Sequence, residues 1–145
     1  MPQIVFPITQ GELLVDVRVN RDAPTLAGIR AANQPAPPVV PTRGVIDTGS
    51  NVTGIAPAVL HRLGVPQLAA TSTSGIGGSV SVLLFRVSLT ILNAHDPQSP
   101  WFVLPDLLVF GLTSHVGVDV LIGMDVLLAC RMLLDGPAGQ FMLDF

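Results

Sequence analysis

Fourteen glycines and thirteen prolines are spread along the whole of this chain. Between them stand short stretches rich in Val and Leu. Glycine and proline both interrupt helices, so this punctuation leaves room mainly for short strands joined by turns. In GELLVDVRVN (residues 11–20), Leu13, Val15, Val17 and Val19 alternate with Leu14, Asp16, Arg18 and Asn20, the pattern of a half-buried strand. Residues 43–48 read as a strand running to Asp47. Residues 71–92 read as strand, glycine turn, strand, with Val80, Val82 and Leu84 alternating against Ser79, Ser81 and Leu83. NAHDPQSP is a loop, and WFVLPDLLVFG is one strand or two, bent by Pro105. VDVLIG reads as a buried strand, MDVLLACR as a short helical turn, and RMLLDGPAGQFMLDF as a terminal hairpin. Pro57 and Gly64 bracket one short helix over 56–64. The Ala- and Pro-rich segment 23–42 reads as a surface excursion between two strands. The expected fold is mainly β, a small closed barrel or folded sheet with one or two short helices.

A length of 145 residues suits one domain, 1–145, able to bury a core without metal or disulfide staples. Apolar residues make up 49% of the chain and charged residues 12%, which points to a large core or a buried subunit interface. The net charge is −3 and the seven Lys and Arg residues are dispersed, so no phosphate-binding face and no nucleic-acid partner are expected. No apolar stretch reaches membrane-span length, because Asp125 and Arg131 interrupt the longest one. The first twelve residues lack a basic stretch followed by a long apolar segment, so no signal peptide is expected. The single cysteine, Cys130, excludes an internal disulfide framework and suits a reducing, cytoplasmic setting.

The chemistry centres on GVIDTGSN, residues 44–51. An apolar strand runs into a carboxylate, Asp47, and the chain then turns through Thr48, Gly49 and Ser50. Backbone amides freed by Gly49 and the hydroxyls of Thr48 and Ser50 can hold that carboxylate rigidly. Two such carboxylates facing one another cannot both ionise, so they share a proton. One then serves as general base and the other as general acid on a water between them, which hydrolyses an amide without metal or other cofactor. The chain has one Asp-Thr-Gly string, so the second carboxylate comes from a second copy across a two-fold axis.

These features resemble the retropepsin-like aspartic proteases. GVIDTGSN resembles their active-site strand and turn, SGIGGSV (74–80) the tip of their flap hairpin, and VDVLIGMDVL (118–127) their second signature, all in the family's order. The likeness spans 43–145, with a first strand at 11–20, and is nearer to cellular members than to viral ones. Met124 follows Gly123 where viral enzymes commonly carry Arg, and Asn51 and Val52 follow Ser50, so the viral ion pair is not available. The chain also has no Tyr, so it lacks the flap tyrosine of the two-lobed pepsins. The resemblance implies a homodimeric aspartic endopeptidase acting on extended peptides. Asp47 would be catalytic, Thr48 would brace the pair across the axis, and Gly49 would let water or substrate approach. Ser50, Ile76, Gly77 and Gly78 would contact substrate, with Val45, Val80, Val82 and Ile122 as pocket walls. QFMLDF would interleave with its copy at the dimer base. A rival reading keeps the fold as a peptide-binding or dimerisation module with little turnover; excision of the domain from a longer chain is a third.

Other residues carry ordinary readings. Gly75, Gly77 and Gly78 fail as a dinucleotide fingerprint, because Val80 stands where its third glycine belongs. His61, His95, His115 and Cys130 lack metal-ligand spacing. Cys130 among Leu127, Leu128, Met132 and Leu133 reads as an inert thiol rather than a nucleophile served by His115. Asp119 and Asp125 read as helix or turn acids, with a place near the site open to Asp119, and Trp101 as a core or interface anchor.

Overall fold

The computed structural model describes residues 1–114 and 116–145; His115 lies outside them. Among the described residues ten strands and three short helices follow one another. They are β1 (Gln3–Pro7), β2 (Leu14–Arg21), α1 (Ala23–Ala31), β3 (Val40–Ile46), β4 (Gly54–Ile55), α2 (Pro57–Leu63) and β5 (Ala69–Gly75). Then come β6 (Gly78–Leu92), β7 (Phe102–Gly111), β8 (Val120–Ile122), α3 (Met124–Leu127), β9 (Arg131–Asp135) and β10 (Gln140–Asp144).

Six strands close a barrel in the order β2-β3-β8-β4-β7-β6, with β6 returning to pair with β2. Closure leaves no free edge in those six strands. The alternation read in the sequence of β2 puts Val15, Val17 and Val19 inside, and Leu14 is buried with them. Val87, Leu89 and Ile91 of β6, Val109 of β7, and Val120 and Ile122 of β8 meet them there. Opposite Pro105 the ladder slips. Val87 pairs with Leu107 and Leu89 with Leu104, so Pro105 and Asp106 together face Ser88. That is a bulge, and it bends one continuous β7 where two strands were also conceivable.

A second sheet of three strands, in the order β1-β10-β9, covers one side of the barrel. Its inward residues Ile4, Phe6, Phe141 and Leu143 join the barrel core. Phe145 stacks on Phe102 of β7 with ring centroids 4.6 Å apart, tying the sheet to the barrel. Within the single chain β1 and β9 flank β10, so QFMLDF is paired along both its edges. The strand β1 carries no signal that the sequence reading recognised.

Three other expectations change. The segment 23–42 does lie on the surface between β2 and β3, but it carries α1. Asp22 caps that helix by accepting from Thr25 N at 3.1 Å, and none of its residues is buried. Pro24 sits in the first turn, where a missing N–H costs nothing. The strand expected over 43–48 starts earlier, at Val40, and ends at Ile46, so Asp47 lies in the turn beyond it. Trp101 is 55% exposed under the Arg18 guanidinium, 4.7 Å from its ring centre, and is outside the core. Among the described residues no helix is long and apolar enough to cross a membrane.

Asp144 is the one buried carboxylate of the small sheet. The hydrogen bond from Gln3 Nε2 at 2.8 Å, and then those from Arg131, hold it below the usual carboxylate range. An unfolded chain returns it to that range, so unfolding takes up a proton on acidification. The stability it contributes is complete above the ordinary carboxylate value and is lost as pH falls through its lowered one. Thermal melts of Asp144→Asn and the parent protein are expected to differ at neutral pH and to converge in strong acid.

Candidate active site

Parallel pairing of β3 with β8 brings Ile46 beside Ile122 and sets the two following turns side by side. Asp47 N donates to Ile122 O at 2.9 Å, so the backbone ladder runs up to the carboxylate-bearing residue itself. Beyond it the chain folds back. Gly49 N donates to Asp47 Oδ1 at 2.9 Å and Ser50 N to Asp47 O at 3.2 Å. The carboxylate is thereby oriented while Asp47 stays partly exposed. Ser50 Oγ donates to Val52 O at 2.8 Å, which tightens the rest of the loop.

The loop 50–53 is fastened to the turn after β8. Met124 N donates to Ser50 O at 2.8 Å and Asp125 N to Asn51 O at 3.2 Å. In the opposite sense, Thr53 donates to the Asp125 carboxylate from its N at 3.0 Å and from its Oγ1 at 2.7 Å. Thr53 Oγ1 also accepts from Gly123 N at 3.1 Å, and Thr53 is completely buried. This clamp closes only because residue 123 is glycine. A Cβ there would stand 2.7 Å from the Val52 carbonyl carbon and 3.0 Å from Ser50 O, both backbone atoms. Gly123→Ala is expected to destabilise the protein by about 1–3 kcal/mol in urea unfolding, since backbone must move to admit the methyl group.

Facing this loop is the hairpin of β5 and β6, which extends from the barrel along the register Ala69↔Leu84 to Gly75↔Gly78. Ile76 and Gly77 form its two-residue tip, and Gly78 adopts φ +104°, a conformation that favours glycine. A cavity of about 380 Å³ opens between loop and hairpin. Its walls are Asp47, Gly49, Ser50, Asn51 and Val52 on one side and Thr71, Ser72, Thr73, Ser74, Val82 and Leu84 on the other, with Phe110 at the back. That volume suits several side chains of an extended peptide.

Of the residues singled out in the sequence, Asp47, Gly49, Ser50 and Val82 meet at this cavity. Thr48 is exposed beside it. Ile76, Gly77 and Gly78 stand at the far end of the hairpin, with Ile76 fully exposed, and Val80 is 45% exposed on the same arm. Val45 pairs with Leu14 and Leu121 within the barrel wall and does not line the cavity. Ile122 has no exposed surface and belongs to the core, so in the single chain it is not a pocket wall. Asp119 accepts from Thr42 Oγ1 at 2.6 Å and does not line the cavity either. The sequence reading missed the polar row Thr71–Ser74, Phe110, and the clamp of Thr53 with Asp125. The signal for the clamp was an Asp two residues past a strand-ending glycine. It read as an ordinary helix acid because its partner is 72 residues away.

Cys130 is partly buried, and its thiol is pushed up, first by burial and then by the charge of Asp144. That disfavours the reactive thiolate, in agreement with an inert thiol. His61 and His95 lie exposed on the surface. Among the described residues no three His, Cys, Asp or Glu side chains cluster as metal ligands.

A carboxylate oriented by one backbone amide, that of Gly49, beside a cleft of this size can polarise a water against a bound amide, provided a proton donor faces it. Residues 26–126 match the family model described as aspartyl protease. Among solved structures the chain is similar to a retropepsin-like aspartic protease from Rickettsia conorii, with 12% identity and a TM-score of 0.60 over 99% of this chain and 90% of that one. No curated protein matches the sequence. The chain belongs to the aspartyl protease family and has the retropepsin-like fold.

Proposed function

We propose that the protein is a homodimeric aspartic endopeptidase in which two Asp47 carboxylates activate the attacking water. The observation that carries this reading is the placement of Asp47. Its side chain is oriented by Gly49 N at 2.9 Å and lines the 380 Å³ cavity roofed by the β5–β6 hairpin. One chain supplies a single such carboxylate. A two-fold partner supplies the second, and the pair holds one proton between them. The unprotonated member takes a proton from water as the water attacks the amide carbon. The protonated member donates to the carbonyl oxygen, and collapse of the tetrahedral intermediate passes a proton to the leaving nitrogen. Thr71 to Ser74 offer an exposed strand to which an extended peptide can add its backbone, while Val82, Leu84 and Phe110 receive apolar side chains.

The test is cleavage of a mixed peptide library across acid to neutral pH at several protein concentrations. Cleavage is expected on the acid side, within extended apolar segments, with specific activity rising with concentration as dimers form. A folded dimer that binds these peptides and cuts none at any pH would overturn the protease reading in favour of a peptide-binding module.

A further inference from the structure

The inner face of the β5–β6 hairpin is divided along its length. Residues directly opposed in an antiparallel ladder project to the same side, and Thr71 is opposite Val82 and Thr73 opposite Val80. Thr71, Thr73 and Val82 all line the cavity beside Asp47. On β6 the cavity therefore meets valine, and on β5, the outer strand of its sheet, it meets threonine. Ser72 and Ser74, opposite Ser81 and Ser79, project to the other face. Threonine has the branched shape of valine with a hydroxyl in place of one methyl group. The preference of strands for branched side chains accounts for the shape of Thr71 and Thr73 and leaves their hydroxyls without a structural task.

The loop on the opposite wall carries a matching group. Asn51 lines the same cavity, and only its backbone carbonyl is engaged, by Asp125 N at 3.2 Å. Ser50 Oγ is already committed to Val52 O at 2.8 Å. Among the described residues, the side chains left to meet a ligand with hydrogen bonds are the Asn51 amide and the hydroxyls of Thr71 and Thr73. Each of them both donates and accepts. The only ionisable residue lining the cavity is Asp47. An anionic side chain in this place would meet a carboxylate of like sign, and a cationic one would compete with water for Asp47. An apolar one would strip water from three polar groups and return no hydrogen bond. A carboxamide meets none of these costs, because its NH2 donates and its oxygen accepts while it carries no charge.

We infer that this part of the cavity is a subsite for the side-chain amide of a glutamine or asparagine close to the cleaved bond, held between Asn51 and the hydroxyls of Thr71 and Thr73. Closeness to the bond follows from Asp47, which lines the same cavity. Val82, Leu84 and Phe110 remain for apolar side chains, so the favoured substrate combines a carboxamide with apolar neighbours. The subsite names a substrate class for the proposed protease and rests on that reading.

The test reads specificity apart from catalysis. Cut sites in the mixed peptide library are expected to be enriched in Gln and Asn at one position. A matched set of fluorogenic peptides then carries Gln, Met, Glu or Lys at that position. The parent protein is expected to prefer the Gln peptide to the Met peptide by about tenfold in kcat/KM, the worth of one or two net hydrogen bonds, and to cleave the Glu and Lys peptides less well than the Gln peptide. Thr73→Val and Asn51→Leu are each expected to bring the Gln-to-Met ratio toward one, while Thr73→Ser, which keeps the hydroxyl, preserves it. The ratio is unaffected by any loss common to both peptides. Thr73 is exposed and Asn51 bonds Asp125 through its backbone, so both variants are expected to fold, as thermal melts would check. Cleavage without Gln or Asn enrichment, or a ratio that neither Thr73→Val nor Asn51→Leu moves, overturns the subsite and leaves the protease reading standing. A protein that cuts none of the peptides, yet binds the Gln peptide about tenfold more tightly than the Met peptide and loses that difference in Thr73→Val, supports the subsite and overturns the protease reading. No cleavage with equal binding, or with none, overturns both.

Discussion

Asp47→Asn is expected to lower kcat/KM for peptide cleavage by about 10³-fold or more, within or beyond the 10²–10⁴ that general acid–base catalysis contributes. The substitution is nearly isosteric. The Asn carbonyl oxygen can still accept from Gly49 N, so the turn from Asp47 to Ser50 is expected to keep its shape and the melting temperature to stay near that of the parent. What is lost is the capacity to take and return a proton. A mixing experiment carries the argument to the dimer. With equal amounts of parent and variant chains, about half of the parent chains pair with an inactive partner. Activity should then fall about twofold at constant parent concentration. Undiminished activity in the mixture would mean that each chain works alone, and parent-like rates in the pure variant would remove Asp47 from the chemistry.

The largest expected loss of stability from a polar residue is at Asp125. In Asp125→Ala, the N–H and hydroxyl of Thr53 lose their acceptors while Thr53 stays completely buried. Each unsatisfied buried group costs about 1–3 kcal/mol, so a total of roughly 2–6 kcal/mol is expected in chemical denaturation. Thr53→Val is expected to cost less, because it removes the hydroxyl instead of stranding it. The double variant should be more stable than the sum of the two losses, the mark of a shared network. The same clamp holds the loop that follows Asp47, so Asp125→Ala is expected to reduce kcat more than it raises KM. Equal melting temperatures for Asp125→Ala and the parent would show that the clamp carries no weight.

How far the site could be read in advance depended on where its partners lie along the chain. The turn from Asp47 to Ser50 is local: the carboxylate, the amide that orients it and the hydroxyls around it fall within four residues. The hairpin tip is local too, since Ile76 and Gly77 stand between the paired Gly75 and Gly78. Local chemistry of this kind shows in a string of letters. Asp125 and Thr53 are also ordinary letters, but what joins them is the antiparallel pairing of β4 with β8, Gly54 opposite Leu121, and strand pairing across so long a separation leaves no local trace. Ile122 shows the opposite failure. Its position beside the second glycine suggested a pocket wall, while the barrel has it wholly enclosed.

The helix α1 was hidden by composition. Pro24 and the later prolines suggested a loop, yet a proline in the first turn is compatible with a helix capped by Asp22. The first strand was hidden for lack of alternating polar residues and became evident only through its partner, β10.

By itself, then, the sequence determined the chain's β character, its strand alternation, its turns and the local turn that orients the Asp47 carboxylate, because each of these is set by residues within a few positions of one another. Only the tertiary structure decided that six strands close into a barrel, that Thr53 and Asp125 clamp the loop after Asp47, and that β9 is left as the open edge. Those depend on which distant strands satisfy one another's backbone hydrogen bonds, and that choice is made by the packing of the whole core.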